Sequence, residues 1–466
     1  MHPSPRAARR RLQRAALTSS AVLLALAAGA LPAQAAPAAP AAPPGATAAA
    51  PATTGRGLDR AALRASLEAV HEAGMYGTFS AVRDGSSQWR GAAGVADVDT
   101  RRPVRSGFRH RVGSITKSFA AVAVLQQVRA GRVDLDAPIG RYLPELVPGE
   151  RGRTITVRML LNHTSGIGDH ILPAFPGLLE DPGKALDEGR FRHHAPEELV
   201  RLGLAAPPGA PRGTYAYSNT NYVIIGLLLR EVTGQEPEEY ITDHVIRKAG
   251  LRHTYFPRTP HLTGPHAKMY ESMYGTITPA RDYSVYDMSW GGIAGSLVST
   301  TEDLNSFYRQ LLGGRLLGPA ELRAMKTTVP AHPVEPGEEA VMRYGLGLST
   351  VRMADGRWYW GHDGAVFGAG TLALSSEDGR RQIAVALNLM KYQHVNEDGT
   401  VDPHPIDLAL NRHIETALGI TRPAAPAAPF ASPDVAAPGA GAPVAPAPAA
   451  ATVATRPFEV LSRLRG

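Results

Sequence analysis

Ser114-Ile115-Thr116-Lys117 sets a hydroxyl and an amine three residues apart. On a helix those two side chains share a face, one turn from each other. A serine hydroxyl is a poor nucleophile until a base takes its proton. Lysine can be that base when burial or neighbouring positive charge lowers its pKa. Arginine cannot, because it keeps its proton in proteins. The chain has 43 Arg and only six Lys, so Lys117 stands against the compositional bias, and this is the sole Ser-x-x-Lys. A helix N-terminus also offers free backbone N–H groups and a positive dipole end to developing negative charge. The competing reading is an N-capping serine with a solvated lysine.

Two further clusters bear polar chemistry. Tyr217-Ser218-Asn219, the only Tyr-x-Asn, lies in a polar loop before an apolar helix. A tyrosine near cations can shuttle a proton, and an asparagine can grip an amide carbonyl. His362-Asp363-Gly364 follows a Trp/Tyr strand and precedes a Gly-rich turn over 365–370. Glycine beside a strand lets another backbone approach closely. Each cluster alone also fits a plain loop or tight turn.

Together, in this order, the three clusters resemble the penicillin-recognising serine enzymes. That group holds class C β-lactamases, secreted actinobacterial D-alanyl-D-alanine carboxypeptidases, and related esterases and D-aminopeptidases. Tyr217-Ser218-Asn219-Thr220-Asn221-Tyr222 looks especially like the carboxypeptidases. Leu160 to Gly166, read as Leu-Leu-Asn-His-Thr-Ser-Gly, resembles a further signature of structural character, and Gly291-Gly292 through Leu304 also looks like the family. The resemblance spans about 58–420. It implies that Ser114 forms an acyl-enzyme and that Lys117 receives or relays its proton. It implies that Tyr217 shuttles a proton to the leaving group and that Asn219 holds the substrate amide. His362 is implied to sit beside Tyr217 and supply polarity or positive charge. The backbone N–H groups of Ser114 and Ala365, with Gly364 beside them, would form an oxyanion hole, and Trp290 would line the cleft. One position departs from the pattern: the third motif usually carries Thr or Ser where this chain has Asp363. An ionised Asp offers only acceptors and repels a carboxylate. No Arg directly follows Tyr344-Gly345-Leu346-Gly347-Leu348; Arg352 lies further on.

The elements that must position these residues are legible in outline. Apolar spacing predicts helices over 58–73, 114–130, 221–232, 300–312 and 404–418. Alternation and turn residues predict strands over 77–83, 88–96, 358–361, 371–375 and 382–389. Strands at both ends with helices between them indicate an α+β fold: one antiparallel sheet from both termini, flanked by helices, with a mainly helical region inserted.

The chain has 466 residues, 49 Lys+Arg against 42 Asp+Glu, a net charge of +7 and no cysteine. The missing cysteine removes disulfides, a thiol nucleophile and thiolate metal sites. Residues 1–35 read as a secretory signal: five arginines, an apolar run over 15–31, then Ala33-Gln34-Ala35 as a cleavage site. Residues 36–57 read as an Ala/Pro-rich linker, 58–420 as the hydrolase domain, and 421–466 as an Ala/Pro-rich disordered tail. The signal and the tail carry the whole positive excess, leaving residues 36–420 neutral. That argues against nucleic acid. No Gly-x-Ser-x-Gly elbow, phosphate loop or His-Glu-x-x-His occurs. The expectation is a secreted, cell-wall-associated monomer that needs no metal or cofactor. Its main expected activity is D-alanyl-D-alanine carboxypeptidase-like, on peptidoglycan stem peptides. An esterase, D-aminopeptidase, amidase or β-lactamase is the alternative, and a non-catalytic wall- or β-lactam-binding protein the rival from another class. β-Lactams are expected to acylate it.

Overall fold

The computed structural model describes residues 57–420, apart from 333, 335–337 and 397–400. The expected signal, the tail and the linker up to residue 56 lie outside the described residues.

Helix α1 (Arg60–Glu72) starts where the Asp59 carboxylate accepts from the Ala61 and Ala62 N–H groups, and it buries Leu63, Leu67 and Val70. Strands β1 (Gly77–Asp84) and β2 (Ser87–Gly94) form a hairpin about Gly85, which takes φ +57°. Three helices of the inserted region bear on the site: α2 (Thr116–Arg129), α3 (Asn219–Thr233) and α4 (Thr301–Leu312). The rest of the sheet follows: β3 (Val329–Pro330), β4 (Met342–Tyr344), β5 (Ser349–Arg352), β6 (Trp358–Val366), β7 (Ala369–Ser376) and β8 (Arg381–Leu387). Helix α5 (Pro405–Leu418) closes the domain with a His404/Asp407 capping box and Gly419 at φ +68°.

The eight strands are ordered β2-β1-β8-β7-β6-β5-β4-β3, every pair antiparallel. Strand β1 from the beginning of the domain thus sits against β8 from its end, and the helical region is the excursion between them. This is the α+β architecture expected from the sequence.

Alternation along the central strands sorts the two faces. Leu372, Leu374, Ile383 and Val385 pack outward with Leu63 and Leu67 of α1 and Leu410 and Ile414 of α5. Ala373 and Ala384 face inward, where small side chains let the helical region approach. On that inner side α2 buries every residue from Thr116 to Leu125, and α3 every residue from Thr220 to Leu229. Apolar spacing marks 114–130 as a helix without showing this degree of burial: α2 is a central helix, enclosed all round over that stretch. Phe119 of α2 stacks on Phe307 of α4 at 3.7 Å.

A second difference concerns β6, which was expected to end at 361. It runs on to Val366 because Gly364 pairs with Thr371 and Ala365 with Gly370, leaving only Phe367-Gly368 as the turn. The third motif is therefore strand backbone, held by a neighbour on β7, and not a loose Gly-rich loop.

Candidate active site

Ser114 lies in a single 3₁₀ turn, Gly113–Ile115, that feeds α2. The cap positions of the turn and of α2 are Val112 and Ile115, so the reading of Ser114 as an N-cap does not apply. Gly113 has φ +51°, and a Cβ there would stand 2.7 Å from the Ala365 nitrogen. A Cβ at Gly364 would stand 2.0 Å from the Val112 oxygen and 2.7 Å from the Ser114 nitrogen. Only glycine fits at either position, and the result is a close juxtaposition of the Ser114 and Ala365 backbones.

Lys117 is fully buried one turn along. Its Nζ lies 3.1 Å from Ser114 Oγ, 2.8 Å from Asn219 Oδ1 and 2.7 Å from the Ala294 carbonyl oxygen. Burial lowers its pKa to about 7, against the opposing pull of Asp169 and Asp363. A neutral amine has two N–H donors and one lone pair. Asn219 Oδ1 and the Ala294 oxygen carry no hydrogen, so they take the two donors. The lone pair is left for the Ser114 hydroxyl, which is the arrangement general-base activation needs.

The amide of Asn219 is oriented by Asp169. Its Nδ2 and its backbone N–H both donate to Asp169 Oδ2 at 2.8 Å, so Oδ1 must face Lys117. The same carboxylate sits at the N-terminus of α3, where the dipole favours it. Asn219 was expected to hold substrate; the structure first commits it to orienting Lys117, with one N–H left over.

Tyr217 presents a buried hydroxyl toward Ser114 without reaching hydrogen-bond geometry. Burial pushes the phenol well above its usual pKa, with Ser114 acting in the other direction. Lys117 Nζ stands 4.9 Å from its ring centroid. The imidazole stacked on Tyr217 is that of His163, 4.1 Å between centroids. His163 Nδ1 accepts from the Ser218 N–H and Asn221 Nδ2, and burial keeps the ring neutral.

Of the polarity or positive charge expected of it, His362 supplies polarity. Its Nδ1 is 2.5 Å from the Asp363 carbonyl oxygen, which can only accept, and its Nε2 is 2.8 Å from Tyr344 Oη. Both nitrogens are thus occupied in the neutral form, and burial drops the pKa to about 3. The Tyr344 ring, 6.2 Å from that of Tyr217, links the two residues. Trp290, expected to line the cleft, is 8% exposed and packs on Phe175, Tyr286 and Phe367, which covers most of its ring. Arg352 is engaged with Glu339 at 2.6 Å. Asp363 is buried, with Oδ2 lacking a partner.

A serine, a depressed lysine, a buried tyrosine and the closely packed backbones of Ser114 and Ala365 form one constellation. The family model for beta-lactamases matches residues 60–411. The chain belongs to the beta-lactamase family. It is a serine hydrolase of the group that also holds penicillin-binding-protein homologues, esterases and amidases. A D-stereospecific amidohydrolase from Streptomyces sp. is 37% identical, with a TM-score of 0.65, covering 72% of this chain and 95% of that one. The putative penicillin-binding protein PbpX of Bacillus subtilis is 28% identical over 288 residues, 60% of this chain and 63% of its own. Esterase EstB of Burkholderia gladioli is 33% identical over 215 residues, 44% of this chain and 55% of its own. The chain thus spans less than two thirds of the length of these two curated relatives.

Within this beta-lactamase-family site, sequence reasoning had missed four partners: Asp169, the Ala294 carbonyl, Tyr344 and the stacking role of His163. His163 lies inside the Leu-Leu-Asn-His-Thr-Ser-Gly signature, and its φ of +60°, a left-handed backbone that β-unbranched polar residues tolerate best, marks a constrained turn. Nothing in the sequence singles out Ala294, because it contributes only backbone.

Proposed function

We propose that this serine hydrolase cleaves the amide bond that follows a D-amino acid, through an acyl-enzyme on Ser114. The supporting observation is the Lys117 amine, buried, near a pKa of 7 and 3.1 Å from Ser114 Oγ. In the first step Ser114 Oγ attacks the carbonyl carbon and its proton passes to Lys117 Nζ. The oxyanion is held by the Ser114 and Ala365 N–H groups. Collapse breaks the C–N bond; Tyr217 donates its phenol proton to the departing amine and regains one from the Lys117 ammonium, which returns Lys117 to the neutral form. Water then attacks the ester carbonyl and gives a proton to Lys117, the C–O bond to Ser114 breaks, and Ser114 Oγ takes that proton back as the acid leaves.

The D-amino-acyl preference is supported by likeness to the Streptomyces D-stereospecific amidohydrolase. Ammonia release from D-alaninamide and L-alaninamide tests it. The D-enantiomer should be hydrolysed preferentially and Ser114→Ala should abolish the reaction; preference for the L-enantiomer would refute the stereochemical assignment. A D-alanyl-D-alanine carboxypeptidase is the second reading, supported by the Tyr217-Ser218-Asn219 run and by likeness to PbpX. D-alanine release from an N-acylated D-alanyl-D-alanine peptide tests that. Export, contact with the cell wall, acylation by β-lactams and a monomeric state belong to the same proposal. Among the described residues no helix is long and apolar enough to cross a membrane.

A further inference from the structure

Strand β6 has a strand on both sides only as far as Gly361, where its pairing with β5 stops. From His362 to Val366 it pairs with β7 alone. Gly364, in that stretch, is pressed against Val112 and Ser114. The place of the Ala365 N–H beside Ser114 therefore depends on what holds the free end of the β6–β7 hairpin, the turn at Phe367-Gly368.

That end is held by Glu271, whose carboxylate is fully buried. Its Oε2 accepts from the Gly368 N–H at 3.1 Å and from Lys391 Nζ at 2.8 Å, and its Oε1 accepts from the Met273 N–H at 2.9 Å. Gly368 has φ +77°, and a Cβ there would stand 2.4 Å from the Met269 oxygen, so the turn lies directly on the segment that carries Glu271. Residues Leu389–Met390 run parallel to Tyr270–Glu271, and the Tyr274 N–H donates to the Lys391 oxygen at 2.6 Å. Met273, Tyr274 and Lys391 all have positive φ, three of the five non-glycine residues that do so among the described residues. Such backbone persists only where its surroundings fix it. Lys391 Nζ also stands 5.3 Å from the Phe367 ring centroid. Three segments of chain thus converge on one carboxylate.

The charge type matters here. A carboxylate has two oxygens that only accept, which suits three donors. A carboxamide of the same shape has one such oxygen and turns N–H groups toward the remaining donors. It also leaves the Lys391 ammonium, 13% exposed, without a counter-charge. The hydrogen bonds of Glu271 reach the turn and its neighbours and no reacting atom, so its effect on the reaction passes through the hairpin.

We infer that Glu271 is a positioning residue for the oxyanion site: with Lys391 it pins the β6–β7 turn, and through the hairpin it sets how the Ala365 N–H meets the oxygen that gains charge on the substrate carbonyl. This rests on the acyl-enzyme reading of Ser114 and adds the group that fixes one of its two N–H donors.

The test uses the full chain, with p-nitrophenyl acetate as substrate and phenylboronic acid as inhibitor. Ser114 Oγ adds to boron, its proton goes to Lys117, and an oxygen of the resulting tetrahedral anion takes the oxyanion place. Rates are referred to the fraction of chain that a fluorophosphonate labels at saturation. Glu271→Gln should lower kcat/KM about tenfold or more and raise the inhibition constant of phenylboronic acid by a similar factor, since a misplaced oxyanion donor can cost that much. A purely structural role would lower the labelled fraction and leave both constants of the labelled chains unchanged. If the uncompensated Lys391 ammonium prevents folding, Glu271→Gln combined with Lys391→Met removes both charges and should move the two constants in the same direction. Both constants within about twofold of wild type, or a lower kcat/KM without weaker boronate binding, would overturn the inference. Wild-type protein that neither hydrolyses the ester nor binds the boronate would refute the acyl-enzyme reading itself, and the inference with it.

Discussion

At the scale of single residues, reactivity is set by what surrounds one amine. Lys117 has two acceptors that can only accept, which leaves its lone pair to Ser114. Replacing it with arginine keeps the charge and removes the base. Lys117→Arg should lower the acylation rate by about a thousandfold, within the usual range for a general base, as measured by the rate of fluorophosphonate labelling. The pH dependence has a definite sign. Lys117 is competent when neutral, so kcat/KM should rise with pH through about 7, the value to which burial lowers it. Tyr217 is pushed the other way and keeps its proton throughout. A profile flat from pH 5 to 9 would remove Lys117 as the base. Ser114, Lys117 and Tyr217 were legible because their residue types are rare in these patterns. Asp169 was not, because an aspartate after a glycine in an irregular loop has no periodicity to mark it. Its importance comes only from lying against Asn219, 50 residues on.

At the scale of elements, the site exists because helix N-termini and one strand converge. The 3₁₀ turn before α2 is pressed against β6, α3 brings Asn219 to Lys117, and Asp169 closes the end of α3. The contact between turn and strand leaves no room for a side chain. Gly364→Ala would put a methyl 2.0 Å from the Val112 oxygen and 2.7 Å from the Ser114 nitrogen. The turn would have to move, and a shift of about 1 Å can cost about a hundredfold in rate. Labelling of Gly364→Ala should fall by at least that much while far-UV circular dichroism still shows the folded chain; unchanged labelling would mean that the two backbones need not be in contact. The five helices and the central strands could be read from apolar spacing and turn residues. The extension of β6 to Val366 could not, because glycines normally mark the end of a strand and here the pairing with β7 overrides them. The short strands β3 and β4 escaped notice for a related reason: two or three residues are too few to show alternation.

At the scale of the whole molecule, the sheet separates two packing layers. The outer layer, where α1 and α5 cover the large side chains, holds the ends of the domain together and reaches the site through Tyr344, the ring of Tyr217 and the edge at Ala365. The inner layer carries α2, α3 and α4. Leu67, 1% exposed, belongs to the outer layer. Leu67→Ala should destabilise the chain by about 2–5 kcal/mol, read by urea unfolding, and leave the labelling rate of the folded protein within about twofold of wild type. A large loss of rate without loss of stability would show that the layers are not independent. The positive excess seen across the whole chain lies outside residues 36–420, so the domain that carries the site offers no net charge to a polyanion. What the domain does offer is one activated hydroxyl. The most direct measurement is therefore to label the intact protein with a fluorophosphonate and, separately, with a fluorescent penicillin, and to map the adducts by peptide mass spectrometry. A single adduct on Ser114, absent from Lys117→Arg, is expected; an adduct on another residue, or none with either reagent, would contradict the assignment of Ser114 as the nucleophile.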